Sequence, residues 1–236
     1  MSEGFLSDLR SELAKNADEK TKSSGKRFFK ESVKLYGVKS AIVSKLAKKY
    51  FDKIPVKEKK EVFALCEELL KTDYMEESFV AFDWSERMHK KYEPADYKIF
   101  ERWVERYVNN WAKCDTLCNH TVGSFVEMYP GYIKELKRWA RSGNRWVKRA
   151  AAVTLVLPAR KGLFLEDIFE ISDILLEDND DLVQKGYGWM LKEASRKHLT
   201  EVHAYVLRNK KKMPRTALRY AIEKMPEEMR KEAMGK

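Results

Sequence analysis

The residues from 146 to 155, WVKRAAAVTL, open a helical pattern that recurs along the chain at a nearly constant interval. Similar segments are MEESFVAFDW from Met75, WAKCDTLC from Trp111 and LVQKGYGWML from Leu182. Their first residues, together with Trp146, are separated by 36, 35 and 36 positions, and each interval holds two helical segments. A spacing of this length is typical of solenoids, in which each helical pair packs mainly on its neighbours.

Helical periodicity of apolar residues extends over almost the whole chain, as in Leu9 and Leu13, and no stretch shows convincing strand-like alternation. The sequence therefore predicts an all-α protein, a solenoid of helical pairs that forms one curved domain over residues 1–236. We expect capping helices over about residues 1–37, repeats over about residues 38–225 and then a short C-terminal tail.

The composition favours a packed protein with a polyanionic partner. The chain has 47 Lys and Arg against 37 Asp and Glu, a formal net charge of +10. A basic balance of this size is typical of proteins that bind nucleic acid, although a merely basic surface is an alternative. Because only 10 Gly and 6 Pro are present and aromatic residues make up 12% of the chain, low-complexity disorder and collagen-like structure are excluded.

The cysteines and the apolar runs indicate a cytoplasmic protein without a membrane partner. The three cysteines, Cys66, Cys114 and Cys118, form no CxxC pair, so we expect no disulfide framework and a reducing compartment. The N-terminal residues show no basic segment followed by an apolar one, as a signal peptide would. The longest nearly apolar run, residues 150–159, is shorter than the roughly 20 residues that span a bilayer.

Four side chains share one helical face when each repeat is numbered from its first residue. Trp111 then stands at offset 0, Asp115 at +4, Arg149 at +3 and Trp189 at +7. Offsets of 0, 3, 4 and 7 lie on the same side of an α-helix. If these helices line the concave side of the solenoid, we expect the four side chains to meet in one groove.

Charges are segregated along the sequence. From residue 136 to residue 165 the chain has eight Lys or Arg and no acid, whereas residues 166–181 contain eight acids and no cation. This pattern predicts one face for a phosphate backbone and another turned to water, and two ordinary solvated helix faces are the alternative. The cations that we expect to contact the phosphate backbone are Arg141, Arg145, Lys148 and Arg149.

Other chemistries lack support in the sequence. The histidines do not form HExxH or a similar metal-binding spacing. Two cysteines four positions apart, Cys114 and Cys118, are more typical of a buried helix face than of metal ligands. Walker A, GxGxxG and GxSxG sequences are absent. We therefore expect neither a metal nor a cofactor.

Several segments resemble those of the AlkD-type DNA alkylation repair glycosylases. The segments are NNWAKCD (109–115), NRWVKRAAA (144–152), VQKGYGWMLKEA (183–194) and KRFFKESVKLYGV (26–38). The resemblance covers nearly the whole chain and implies a superhelix of HEAT-like repeats with a concave basic groove for duplex DNA. It also implies base excision repair, in which a hydrolase removes cationic N3- and N7-alkylpurines without flipping the base into a pocket.

The same resemblance implies a role for each candidate site residue. Asp115 matches the catalytic carboxylate, which stabilises the oxocarbenium-like sugar. Trp111 and Trp189 match the aromatic pair beside the lesion, and Arg149 matches the cation near the backbone of the lesion. Phe28 also lies on the lesion side, where the family often has a tyrosine, so that any hydroxyl contact is lost.

The chain also departs from the family pattern around the catalytic carboxylate. Asn110 and Ala112 replace residues of the W-W-D-x-x-D pattern that precede Asp115. The resemblance implies a monomer whose partner is double-stranded DNA containing alkylated purines. Two alternatives are a related protein that binds DNA structure without excision, and a HEAT-type scaffold for other proteins.

Overall fold

Helices occupy the chain as the apolar periodicity predicted. The computed structural model describes residues 2–235, with side chains from residue 4 onward, and over that range only an isolated bridge between Lys34 and Tyr74 is strand-like. The helices are Ser2–Lys15 (α1), Glu19–Arg27 (α2), Ser40–Asp52 (α3), Lys59–Leu70 (α4), Met75–Arg87 (α5), Tyr97–Tyr107 (α6), Trp111–Leu117 (α7), Gly123–Met128 (α8), Ile133–Trp139 (α9), Arg145–Val153 (α10), Val156–Lys161 (α11), Leu165–Leu175 (α12), Asp181–Ala194 (α13), Leu199–Asn209 (α14), Arg215–Ile222 (α15) and Glu227–Met234 (α16). A π-helical turn, Cys118–Val122, joins α7 to α8.

The predicted repeat is confirmed at the level of helix starts. The helices α3, α5, α7, α10, α13 and α15 begin at positions 40, 75, 111, 145, 181 and 215, so successive starts are 34 to 36 residues apart. Each is followed by a second helical segment before the next repeat begins. The all-α class is therefore confirmed. The expected short C-terminal tail after residue 225 contains the helix α16.

The chain divides into two compact units, the first ending at Thr116 and the second starting at Leu117. The prediction of a single domain over residues 1–236 stays a prediction. In the first unit, α5 packs against both α3 and α4. Trp84 on α5 is fully buried, and its indole N–H donates to the carbonyl of Ala47 at 2.9 Å. Buried Trp103 packs edge-on against Phe63, which joins α6 to the same core.

In the second unit, α13 packs between α10 and α15. The close contact with α15 depends on Gly188, where an added Cβ would lie 2.7 Å from the Cβ of Tyr220 and 2.8 Å from the carbonyl oxygen of Ala217. Gly186 faces the other neighbour, and a Cβ there would make an ordinary contact of 3.4 Å with Arg149 Cγ. The KGYGW sequence therefore has a packing role that the sequence analysis did not identify.

We expect Gly188→Ala to lower the stability of the protein. The added methyl group collides with backbone, and overpacking of this kind costs about 2 kcal/mol, which corresponds to a fall in Tm of roughly 4–8 °C for a chain of this size. The matched control is Gly186→Ala in the same helix, which has room for its methyl group. Thermal unfolding followed by circular dichroism checks the difference, and equal Tm values for the two variants would contradict the packing argument.

No helix within residues 2–235 combines the length and the apolar character that crossing a membrane requires.

Candidate functional site

The helix α7 carries two of the predicted site residues, and a buried asparagine caps it. Trp111 and Asp115 are both partly exposed, one helical turn apart on α7. Asn110 is 1% exposed, and its side-chain oxygen accepts the backbone N–H of Lys113 at 3.0 Å. Its amide group donates to the sulfur of Met75 at 3.2 Å. The departure from the family pattern at Asn110 thus supplies an N-cap to the helix that carries Asp115.

An ion pair between buried Lys113 and exposed Asp73 anchors the first turn of α7 to the turn before α5. Lys113 is 1% exposed, and its ammonium group donates to Asp73 Oδ1 at 2.5 Å and to the Asp73 carbonyl at 3.2 Å. Burial lowers the pKa of Lys113, and the hydrogen bond and charge of Asp73 oppose that shift. Asn109 also donates to Asp73 Oδ1, at 2.9 Å. These contacts hold α7 against the neighbouring repeat of the same unit.

Three aromatic rings meet at the start of α7. The ring centroids of Phe28 and Trp111 are 5.6 Å apart, and Phe29 stacks on Trp111 with centroids 5.4 Å apart and planes at 24°. Phe28 and Phe29 contact each other edge to face at 5.9 Å. This aromatic cluster (Phe28, Phe29, Trp111) is open to solvent at Phe28, which is 71% exposed. An exposed aromatic surface one turn from a carboxylate can bind a cationic ring system.

Two buried glutamates hold the segment that follows Phe28 and Phe29. Glu76 is 3% exposed and accepts the backbone N–H groups of Tyr36, Gly37 and Val38 at 3.1, 2.8 and 3.1 Å. Glu77 accepts the hydroxyl of Tyr36 at 2.7 Å. Gly37 has a φ of +96°, which favours glycine at the centre of this turn. The segment that leads from Phe28 and Phe29 into α3 is therefore fixed to α5.

In the second unit, Arg149 and Trp189 lie on neighbouring helices. Arg149 on α10 is 5% exposed, and its guanidinium donates to the carbonyl of Leu182 at the start of α13. Gly186 on α13 faces the Arg149 side chain, and a Cβ at Gly186 would lie 3.4 Å from Arg149 Cγ. Trp189 is partly exposed and lies one turn after Gly186 on the same helix.

The cations expected to bind DNA are engaged by acceptors of the second unit. Arg141 donates to the Lys137 carbonyl at 2.8 Å, and Arg149 donates to the Leu182 carbonyl. Three other cations of the basic stretch, residues 136–165, pair with acids of the 166–181 block. These pairs are Arg145 with Asp180 at 2.8 Å, Lys148 with Asp178, and Lys137 with Asp167 at 2.8 Å and Glu170 at 2.7 Å.

The expectation that the basic and acidic stretches occupy separate faces is therefore wrong. The acids that follow the basic stretch neutralise part of its charge. They can do so because α12 and the start of α13 lie beside α10, which carries Arg145 and Lys148. What the acidic block does in this unit is hold neighbouring helices together.

The structure brings the predicted residues together in two groups. Phe28 and Trp111 are in contact in the first unit, with Asp115 on the helix of Trp111, whereas Arg149 and Trp189 belong to the second unit. The convergence of the four repeat-aligned residues in one groove stays a prediction. Within residues 4–235 no group of three or more His, Cys, Asp or Glu side chains is arranged to hold a metal ion.

Comparison with known proteins points to one family. A family model described as DNA alkylation repair enzyme matches residues 9–225. Among solved structures, a protein described as a predicted DNA alkylation repair enzyme from Enterococcus faecalis superposes with a TM-score of 0.80 at 15% sequence identity. The superposition covers 90% of this chain and 98% of that one, so the two share a fold. A search of curated proteins found no match.

Proposed function

Because this chain belongs to the DNA alkylation repair enzyme family, we propose that it is a DNA glycosylase that excises cationic N3- and N7-alkylpurines from duplex DNA. The reaction is hydrolysis of the N-glycosidic bond, which leaves a free alkylated base and an abasic site. The base is not flipped into a pocket. The observation that carries the proposal is the exposed aromatic cluster one helical turn from the Asp115 carboxylate.

The chemistry suits a site without a deep pocket. Alkylation at N3 or N7 places a positive charge on the purine, which weakens the glycosidic bond and makes the base a good leaving group. Little acid catalysis is then needed, because the departing base does not require a proton. The developing charge on the sugar is the remaining barrier, and a carboxylate near C1′ lowers it as carboxylates do in glycoside hydrolysis.

Each site residue has a defined part in this proposal. Asp115 stabilises the oxocarbenium-like sugar or positions the water that attacks it. Trp111 and Phe28 offer ring faces to the charged base, and a cation–π contact contributes roughly 0.5–2 kcal/mol per ring. Trp189 supplies the second indole beside the lesion, as the resemblance implies, and Arg149 supplies the cation near the backbone of the lesion. Selectivity comes mainly from the charge of the lesion.

The release of alkylated bases tests this function against its alternatives. We expect the purified protein to release 7-methylguanine or 3-methyladenine from methylated duplex DNA, as detected by chromatography of the free bases. Salt-sensitive binding of DNA without release would instead favour a protein that recognises DNA structure. An absence of DNA binding even at low salt would favour a protein scaffold.

A further inference from the structure

A lysine-lined cleft lies in the first unit, between α2 and the segment that follows Phe28 and Phe29. Its volume is about 430 Å³, and polar groups dominate its lining. Two lysines come from α2 and a third from the following segment. The polar and charged residues that line the cleft are Lys22, Lys26, Ser32, Lys34, Asp73 and Tyr74.

The cleft carries an excess of positive charge. Lys22 and Lys26 are four positions apart and so share one face of α2. Within residues 4–235 neither has an acidic partner at ion-pair distance, in contrast to the paired cations of the second unit. Lys34 donates to the Thr72 carbonyl at 2.9 Å and lies 4.3 Å above the ring of Tyr74. Its charge therefore stays in the cleft in a defined position.

The acid in the lining does not offset this charge. Asp73 is the acidic residue among those that line the cleft, and its carboxylate already accepts hydrogen bonds from Lys113 and Asn109. Because the ammonium group of buried Lys113 lies 2.5 Å from Asp73 Oδ1, the negative charge of Asp73 is balanced by a cation that does not line the cleft. The ammonium groups of Lys22 and Lys26 are left to attract an anion from solution.

The cleft is adjacent in sequence to the aromatic cluster. Lys26 lies in the last turn of α2, and Phe28 follows directly after that helix ends at Arg27. Further along the chain, Ser32 and Lys34 also line the cleft. The two lysines of α2 therefore stand within six positions of Phe28, the most exposed ring of the aromatic cluster.

We infer that this lysine cleft binds a phosphate group of the DNA backbone. The inference rests on the proposed function, which makes duplex DNA the ligand. It assigns phosphate binding to lysines that lie outside the basic stretch of residues 136–165. Lysine suits this task because each ammonium group is a compact charge that releases counterions from the duplex when it neutralises a phosphate.

The test compares two double variants that remove the same charge from the first unit. Lys22→Gln combined with Lys26→Gln empties the cleft of its two unpaired cations, and glutamine keeps the first carbons of each side chain. The matched control combines Lys45→Gln with Lys48→Gln, two exposed residues of α3 outside the cleft. The affinity for an unmodified duplex is measured at several salt concentrations, and thermal unfolding establishes that both variants are folded.

We expect the cleft variant to bind the duplex about 10-fold more weakly. The plot of log K against log salt should become less steep by about 1, which corresponds to the loss of one phosphate contact. The control should keep the wild-type slope. Equal losses in the two variants, or a wild-type slope in the cleft variant, would overturn the inference while leaving the excision of alkylpurines untouched.

A second arm separates backbone phosphate from free phosphate. Inorganic phosphate is titrated into the wild type and into the cleft variant by calorimetry. Tight binding that the cleft variant loses, together with an unchanged affinity for the duplex, would assign the cleft to a free phosphate ligand and overturn the inference. A wild-type protein that binds no duplex at any salt concentration would contradict the proposed function as well.

Discussion

Replacing Asp115 with asparagine is expected to abolish the release of alkylated bases while leaving duplex binding intact. Asparagine keeps the shape of the side chain but removes the negative charge that, in the proposed mechanism, stabilises the developing cation on the sugar. The loss of one electrostatic contact to a transition state typically costs about 100-fold or more in rate. The single-turnover rate of 7-methylguanine release from methylated DNA is the measurement, with the duplex affinity determined in parallel.

A conservative change elsewhere in the same unit provides the control for this prediction. Glu105 is an exposed acid on α6, so Glu105→Gln removes the same charge from a different helix. We expect that variant to release bases at the wild-type rate. If Asp115→Asn also kept the wild-type rate, Asp115 would have no part in the mechanism.

Glu76→Ala is expected to destabilise the protein, because Glu76 fixes the turn at Gly37. Glu76→Ala removes the acceptor of three backbone N–H groups, those of Tyr36, Gly37 and Val38. The N–H groups of Gly37 and Val38 are buried, so the variant leaves donors without water or protein partners. We expect a loss of about 3 kcal/mol and a Tm lower by roughly 6–12 °C, as measured by thermal and urea unfolding.

Glu68→Ala is the matched control for this loss. Glu68 is exposed, and its ion pair with Lys71 lies at the surface, where such pairs contribute little. Its Tm should stay within about 2 °C of the wild-type value. Similar Tm values for Glu76→Ala and the wild type would mean that the turn at Gly37 is held by other contacts.

The helical repeat was predictable because its signal is local. Apolar spacing and breaker residues depend on a few neighbours in sequence, and the predicted starts at Met75 and Trp111 are the first residues of α5 and α7. Phe28 was predicted as a site residue from the resemblance alone. It is the most exposed of the large apolar side chains in the described part of the chain, which agrees with a residue outside the core.

The polar contacts between repeats were not predicted, because each partner alone has the character of a surface residue. Lys113 lies 40 positions from Asp73, and Arg145 lies 35 positions from Asp180. These separations are close to the repeat length, which is a signal that sequence reasoning could have used. An acid about one repeat away from a cation lies beside it once the helices stack.

In the proposed function, the positive charge of the lesion is what makes the base a substrate. The most direct measurement compares two duplexes that differ only in the position of one methyl group, 7-methylguanine in one and O6-methylguanine in the other. The first base is cationic and the second is neutral. We predict that the protein releases 7-methylguanine and leaves O6-methylguanine in place. Release of both at equal rates, or of the neutral base alone, would contradict the account.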